Sequence, residues 1–239
     1  MRLLFFLVLS TMVLFTHAAH GRVISLSAAD AAPYSTPDGD GLADRIIREA
    51  CRRAGVKVRI LYAPSERSLV NADEGIVDGE YLRIAGLEKK YPNLVMVPES
   101  ICEYEFTVFA KDSGVRVAGW ESLRPWNVGY ITGWKILEEN VKDVKSLTRV
   151  KDDDALFALL RSDRADLIIF ERLQGEAYLK RTKEKEIIPL NPPLARRAMY
   201  LYLNRKYSPL VPRMAEALRR MKQDGTVRWI MSSVQGTAR

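Results

Sequence analysis

Apolar residues along the chain come in two patterns, short alternating runs and longer stretches in which they return every three or four positions. Residues 22–26 alternate like a half-buried strand, and the turn-rich PYSTPDGDG leads into a helix over residues 41–54 with Asp40 as its cap. Leu42, Ile46, Ile47, Ala50 and Ala54 line one face of that helix, and Gly55 stops it. A strand over residues 56–61 follows, then a short helix opened by Pro64 and Ser65 that ends near Gly75. Strands over 76–79 and 94–97 complete the first half. Strand and helix in alternation predict an open α/β sheet with parallel order.

A long alternating run over residues 104–111 precedes a second unit that begins again with a strand, 127–131, and passes through Thr132 and Gly133 into a helix over 134–142. Asp152 caps a helix carrying Leu156, Leu159 and Leu160; a buried strand (166–170), a helix (172–180) and a last strand (186–190) follow. After the NPP break, residues 197–203 alternate once more and two helices end the chain, the first with Leu210, Met214, Ala217 and Met221 on one face. No repeat or low-complexity tract interrupts this order. The DDD at Asp152–Asp154 lacks the spaced oxygen ligands of a calcium loop and reads as helix capping.

Residues 1–18 have the form of an export signal: Arg2, a mainly apolar run over 3–15, then Thr16, His17 and Ala18 as a cleavage site. The run makes a helix of about 20 Å, short of a hydrocarbon core of about 30 Å, and no cysteine stands at the cleavage point to carry a lipid. A periplasmic protein without a permanent membrane anchor is expected. Loss of the leader leaves His20, near the new terminus, as the one remaining histidine, which excludes a Ser-His-Asp triad, a Cys-His pair and a histidine-rich zinc site. The expectation is a binding protein with no catalytic residue, metal or cofactor. The 239 residues, 47% hydrophobic, allow two small domains, and 37 basic against 30 acidic residues favour anionic partners. Export and the lack of a basic, aromatic stripe disfavour nucleic acid. Cys51 and Cys102 fall on an apolar helix face and in a strand, and two buried free thiols are expected of them.

Several short motifs occur in a telling order: PYS at Pro33–Ser35, the helix after GDGLADRI, PSERSL at Pro64–Leu69, VDGEYLR at Val77–Arg83, RADLIIFE at Arg164–Glu171 and QDGTVRWI at Gln223–Ile230. Together they resemble the periplasmic solute-binding proteins of bacterial amino-acid uptake, family 3 of the solute-binding proteins, in a divergent short branch. The resemblance covers roughly residues 22 to 235. It implies an α/β, two-lobed type 2 periplasmic binding fold, each lobe an open mixed sheet flanked by helices, joined by two hinge segments. Lobe 1 is expected to be discontinuous, residues 19–108 with 196–239, and lobe 2 to span 109–195. The resemblance further implies a monomer that closes on a small polar ligand, an amino acid or a related organic acid or amine, and delivers it to an ABC transporter permease or presents itself to a sensor protein. A periplasmic dehydratase-like enzyme on the same fold, and an interaction module using the paired arginines at 52–53, 196–197 and 219–220, stand as alternatives.

In such a fold, ligands sit in the crevice at the carboxyl ends of strands, where loops and helix amino termini present free N–H groups. Arg83 then serves as a bidentate partner for a carboxylate, against a local pairing with Glu80 or Asp78. Glu171 falls where the family's amino-group-binding acid would, against a helix cap or a pairing with Arg172. Tyr34 covers one face of a ligand or lies exposed in its turn. Thr132, Gly133 and Trp134 offer N–H groups to an anion while the indole closes the site, or Trp134 packs beneath its helix. Glu66, Arg67 and Glu80 are further cleft candidates, with local pairing as the alternative for Glu66 and Arg67. The small residues and hydroxyl that wrap a ligand carboxylate in the better-known amino-acid receptors are replaced here by Glu80, Tyr81 and Leu82.

Overall fold

The computed structural model describes residues 23–29 and 32–233, so the export signal and His20 lie outside the described residues. The strands are β1 (Val23–Ala28), β2 (Lys57–Tyr62), β3 (Gly79–Arg83), β4 (Leu94–Met96), β5 (Cys102–Ala110), β6 (Asn127–Ile131), β7 (Ser146–Val150), β8 (Leu167–Glu171), β9 (Ile188–Pro189) and β10 (Ala195–Asn204). The helices are α1 (Leu42–Arg53), α2 (Ser65–Asp73), α3 (Lys135–Asn140), α4 (Asp153–Arg161), α5 (Arg172–Thr182), α6 (Val211–Gln223) and α7 (Thr226–Ser232).

In lobe 1, β1 runs parallel to both β2 and β3, and the second half of β10 pairs antiparallel with β3 and with β4. In lobe 2, β6 runs parallel to β7 and β8, and β5 pairs antiparallel with β8 and β9. The lobes are joined where the first half of β10, Ala195 to Met199, pairs antiparallel with Phe106 to Cys102 of β5. One β10 strand therefore serves both sheets.

The apolar periodicity of α1 is explained by its packing, since Leu42, Ile46, Ile47, Ala50 and Cys51 are all buried. Its amino terminus differs from expectation. Gly41 is the cap, and Asp40 instead accepts a bond from Thr36. The organiser is fully buried Asp44, whose carboxylate accepts from the Gly41 and Thr36 amides and from the hydroxyls of Ser35 and Tyr81. A Cβ on Gly41 would lie 2.4 Å from the Tyr34 carbonyl oxygen, so only glycine lets the PYS turn sit against this helix end. Tyr34 is thereby fixed in place. Asp152 caps α4 as expected, accepting from the Ala155 amide at 2.8 Å. Both Cys51 and Cys102 are free thiols, the first buried and the second half-buried.

Two strands depart from the sequence pattern. The apolar pair Ile76 and Val77 lies in a turn, with Ile76 exposed, and the strand expected over 76–79 begins only at Gly79. Strand β7 lies at the free edge of the lobe 2 sheet and pairs with β6 alone, half-exposed along its length. An edge strand needs no strong apolar run.

Candidate functional site

Lobe 1 presents Arg83 from an irregular strand. Residues three apart on a regular strand face opposite sides of the sheet. Between β3 and β10 the register shifts at Tyr200 and Leu201, and Leu82 takes up the extra residue at a φ of 64°. That bulge reverses the parity and brings Glu80 and Arg83 to one side. Arg83 Nε donates to Glu80 Oε1 at 2.6 Å, and a second guanidinium nitrogen donates to the same oxygen. The other bonds go to Ser65 Oγ at 2.8 Å, the Ser65 carbonyl at 2.6 Å and the Gly133 carbonyl of lobe 2 at 3.4 Å. All five guanidinium N–H groups thus have acceptors. Burial pushes the Glu80 carboxyl up, while the Arg83 charge pulls it down. With two guanidinium bonds on one oxygen, the ion pair is the state this geometry favours. Glu80 and Arg83 are both buried, so the local pairing is a core feature rather than a surface one.

Glu171 ends β8 in lobe 2, 2% exposed, and caps α5 by accepting from the Gln174 amide at 2.8 Å. Its other oxygen is 3.5 Å from the Tyr34 hydroxyl, at the outer limit of a hydrogen bond. Burial pushes its carboxyl up to about 7, against backbone bonds that lower it. Arg172, the expected cationic neighbour, points to Glu105 at 2.8 Å and Asn191 at 2.7 Å. The two residues leave α5's first turn in different directions.

The turn after β6 is occupied by its own chain. The Thr132 amide donates to the Val150 carbonyl at 2.9 Å and the Gly133 amide to Glu138 Oε1 at 2.9 Å. Gly133, at a φ of 90°, touches lobe 1 so closely that a Cβ there would lie 2.6 Å from the Glu66 amide nitrogen. Trp134 stacks on Phe170 at 5.1 Å and meets Phe106 edge-on at 5.8 Å. Lys135 bridges the cleft, its ammonium bound to Glu66 of lobe 1 and to Glu138 at 2.8 Å. Glu66 also accepts from the Tyr91 hydroxyl at 3.2 Å, while Arg67 is exposed on α2.

These elements line a small cavity of about 50 Å3, which shares Ser65, Trp134 and Gln174 with a larger cavity of about 450 Å3 beside it. Lobe 1 contributes Ser65 and Arg83, lobe 2 contributes Trp134 and Gln174, and the hinge strand β5 contributes Tyr104 and Phe106. Of the residues expected from sequence, Arg83 and Trp134 line the cavity, Tyr34 lies beside Glu171 with its ring 4.7 Å from that of Tyr104, and Glu66, Glu80 and Gly133 bond to the wall residues Lys135 and Arg83. Ser65, Tyr104, Phe106, Lys135 and Gln174 were not anticipated. For Tyr104 and Phe106 the visible signal was their alternation along β5, which places both rings on one face.

Among the described residues, three buried side-chain atoms have no hydrogen-bond partner: Glu80 Oε2, the Tyr104 hydroxyl and the Gln174 amide nitrogen. Tyr104 and Gln174 are among the residues that line the cavity.

No family model matches the sequence. An uncharacterized protein of Shewanella oneidensis is 25% identical over 193 residues, which span 77% of this chain and 72% of that one. Among solved structures, a histidine kinase sensor domain with similarity to periplasmic binding proteins superposes with a TM-score of 0.77 at 18% identity, covering 89% of this chain and 95% of that one. An ancestral arginine-binding protein bound to arginine gives 0.74 at 19% identity, covering 87% and 96%. The ligand-binding core of GluR0 from Nostoc punctiforme, in complex with L-glutamate, gives 0.74 at 14% identity, covering 87% and 97%. The chain has the two-lobed type 2 periplasmic binding fold, and is structurally similar to substrate-binding proteins of amino-acid ABC transporters.

Proposed function

We propose that this protein is an exported, monomeric solute-binding protein that closes two lobes, residues 19–108 with 196–239 and residues 109–195, on a small molecule. Its ligand sits in the cavity between Arg83, Trp134 and Tyr104, and the closed form is presented to an ABC transporter permease or to a sensor protein. The observation that carries this reading is the cavity itself: both lobes and a hinge strand wall it, and two of the wall's buried polar atoms lack partners within the described residues. Buried polar groups are ordinarily hydrogen-bonded, so a wall with two orphans suits an added molecule. Structurally similar proteins bind arginine or glutamate, and one is a sensor domain. Binding between the lobes draws on contacts made only in the closed form, and so shifts the population toward it.

The test is a thermal-unfolding screen of the leaderless chain against amino acids, organic acids, amines and uncharged small molecules, with X-ray scattering on the hits. A hit raises the midpoint and reduces the radius of gyration. A screen with no hit leaves the alternative of an interaction module whose pocket is filled by its own side chains. The full set of bonds on Arg83 is the observation that favours that second reading.

A further inference from the structure

We infer that the cleft takes an uncharged ligand, a flat and mainly apolar molecule bearing a carbonyl-type hydrogen-bond acceptor, and rejects free amino acids. This inference rests on the solute-binding reading and narrows its ligand class. Two cationic side chains line the cavity, Arg83 and Lys135, and both are matched from within the chain. Arg83 has Glu80 on two of its bonds and neutral oxygens on the rest. Lys135 has Glu66 and Glu138. A carboxylate entering this space finds no free cation. An ammonium finds no better place in it, because Glu171 is not among the residues that line this cavity, and Asp152 and Asp153 line only the larger cavity beside it. A charged group buried without a partner costs several kcal/mol, enough to exclude a zwitterion.

What the wall offers instead is apolar surface and two polar atoms in search of partners. Phe106 and Trp134 meet edge-on, a surface suited to a planar ring. The Gln174 amide nitrogen is a donor and the Tyr104 hydroxyl a donor or an acceptor, and both residues are more than nine-tenths buried. An acceptor oxygen that reaches either one satisfies it.

A matched ring series tests the charge dependence: benzamide (neutral), benzoate (anion), benzylamine (cation) and L-phenylalanine (zwitterion), each titrated by calorimetry into the leaderless chain. Benzamide is expected to bind at least tenfold more tightly than the other three. Gln174→Leu and Tyr104→Phe are each expected to weaken benzamide at least tenfold, and Tyr104→Phe to leave the ligand-free midpoint unchanged or higher, because it removes a buried orphan hydroxyl. Tighter binding of benzoate or L-phenylalanine than of benzamide overturns the inference and leaves the solute-binding reading intact. Undiminished benzamide binding in both variants also overturns it. If none of the four binds and the broader screen is equally silent, the solute-binding reading fails with it.

Discussion

The two sides of the cleft bury ionisable groups by opposite means. In lobe 1 the Arg83 charge is kept and surrounded, with Glu80 as counterion and the oxygens of Ser65 and Gly133 on the remaining bonds. In lobe 2 Glu171 is buried to a similar depth without a cation, and burial pushes its carboxyl up to about 7. Pairing keeps a charge in the interior at the cost of rigid geometry; without a pair, the proton equilibrium moves instead. The first side should therefore be sensitive to the loss of either partner and the second to pH.

The sharpest break of that comparison is Glu80→Gln, which keeps the shape and leaves Arg83 without a counterion. Breaking a buried pair from one side costs about 3–5 kcal/mol, read as a drop in the urea midpoint. Arg83→Met should cost a comparable amount, and the double variant less than the sum of the two, because the remaining groups no longer include an unmatched charge. A loss under about 1 kcal/mol for Glu80→Gln would mean that the guanidinium is hydrated rather than held by Glu80.

The second side is addressed by pH. The folded-state value of Glu171, about 7, lies above the ordinary 4.5, so between these values the folded chain holds a proton that the unfolded chain has released. Its contribution is then fully present below pH about 4.5 and is lost as pH rises toward about 7, a fall of about 3 kcal/mol for this one group. Glu171→Gln removes a titrating group and should flatten the stability profile over that window. An unchanged profile would show that other carboxyls set it.

Much of the scaffold was legible in the sequence, and less of the cleft, for physical reasons that differ. Apolar periodicity located α1 and α6 because each buries one apolar face, and it made β6 legible as a short apolar run because that strand is buried on both faces. It placed β3 too early, since Ile76 and Val77 are apolar but Ile76 is exposed, and it missed β7 at a half-exposed edge. The Glu80–Arg83 contact was open to sequence reasoning only as a pairing, not as a buried one. Strand parity argues against it, and the left-handed Leu82 that restores it leaves no signature in residue type. Gln174 was hidden differently: it stands three residues after its capping carboxylate, where the visible signal is helix initiation and not ligand contact.

How the two sides are held against each other is tested next by Gly133→Ala. The added Cβ would meet the Glu66 amide at 2.6 Å and must sit at a φ of 90°. Backbone strain of this kind costs about 1–3 kcal/mol, and the interlobe clash acts only in the closed form. A larger radius of gyration in scattering, with a modest loss of stability, is expected; an unchanged radius would show that the turn yields locally and the lobes stay together.

The smallest expected effect belongs to Glu66→Ala, and its size matters for the comparison. Glu66 is the lobe 1 partner of Lys135 across the cleft, yet its side chain is 40% exposed, and solvent screens most of what such a bridge contributes. Lys135 keeps Glu138 at 2.8 Å when Glu66 is removed, so no charge is stranded. The loss should be at most about 1 kcal/mol and should shrink in 1 M salt, with a scattering radius close to that of the unaltered chain. If instead Glu66→Ala opens the lobes as far as Gly133→Ala does, the closed form is held by charge across the rim rather than by the close backbone approach at Gly133, and the Arg83 bond to the Gly133 carbonyl is a consequence of closure and not one of its causes.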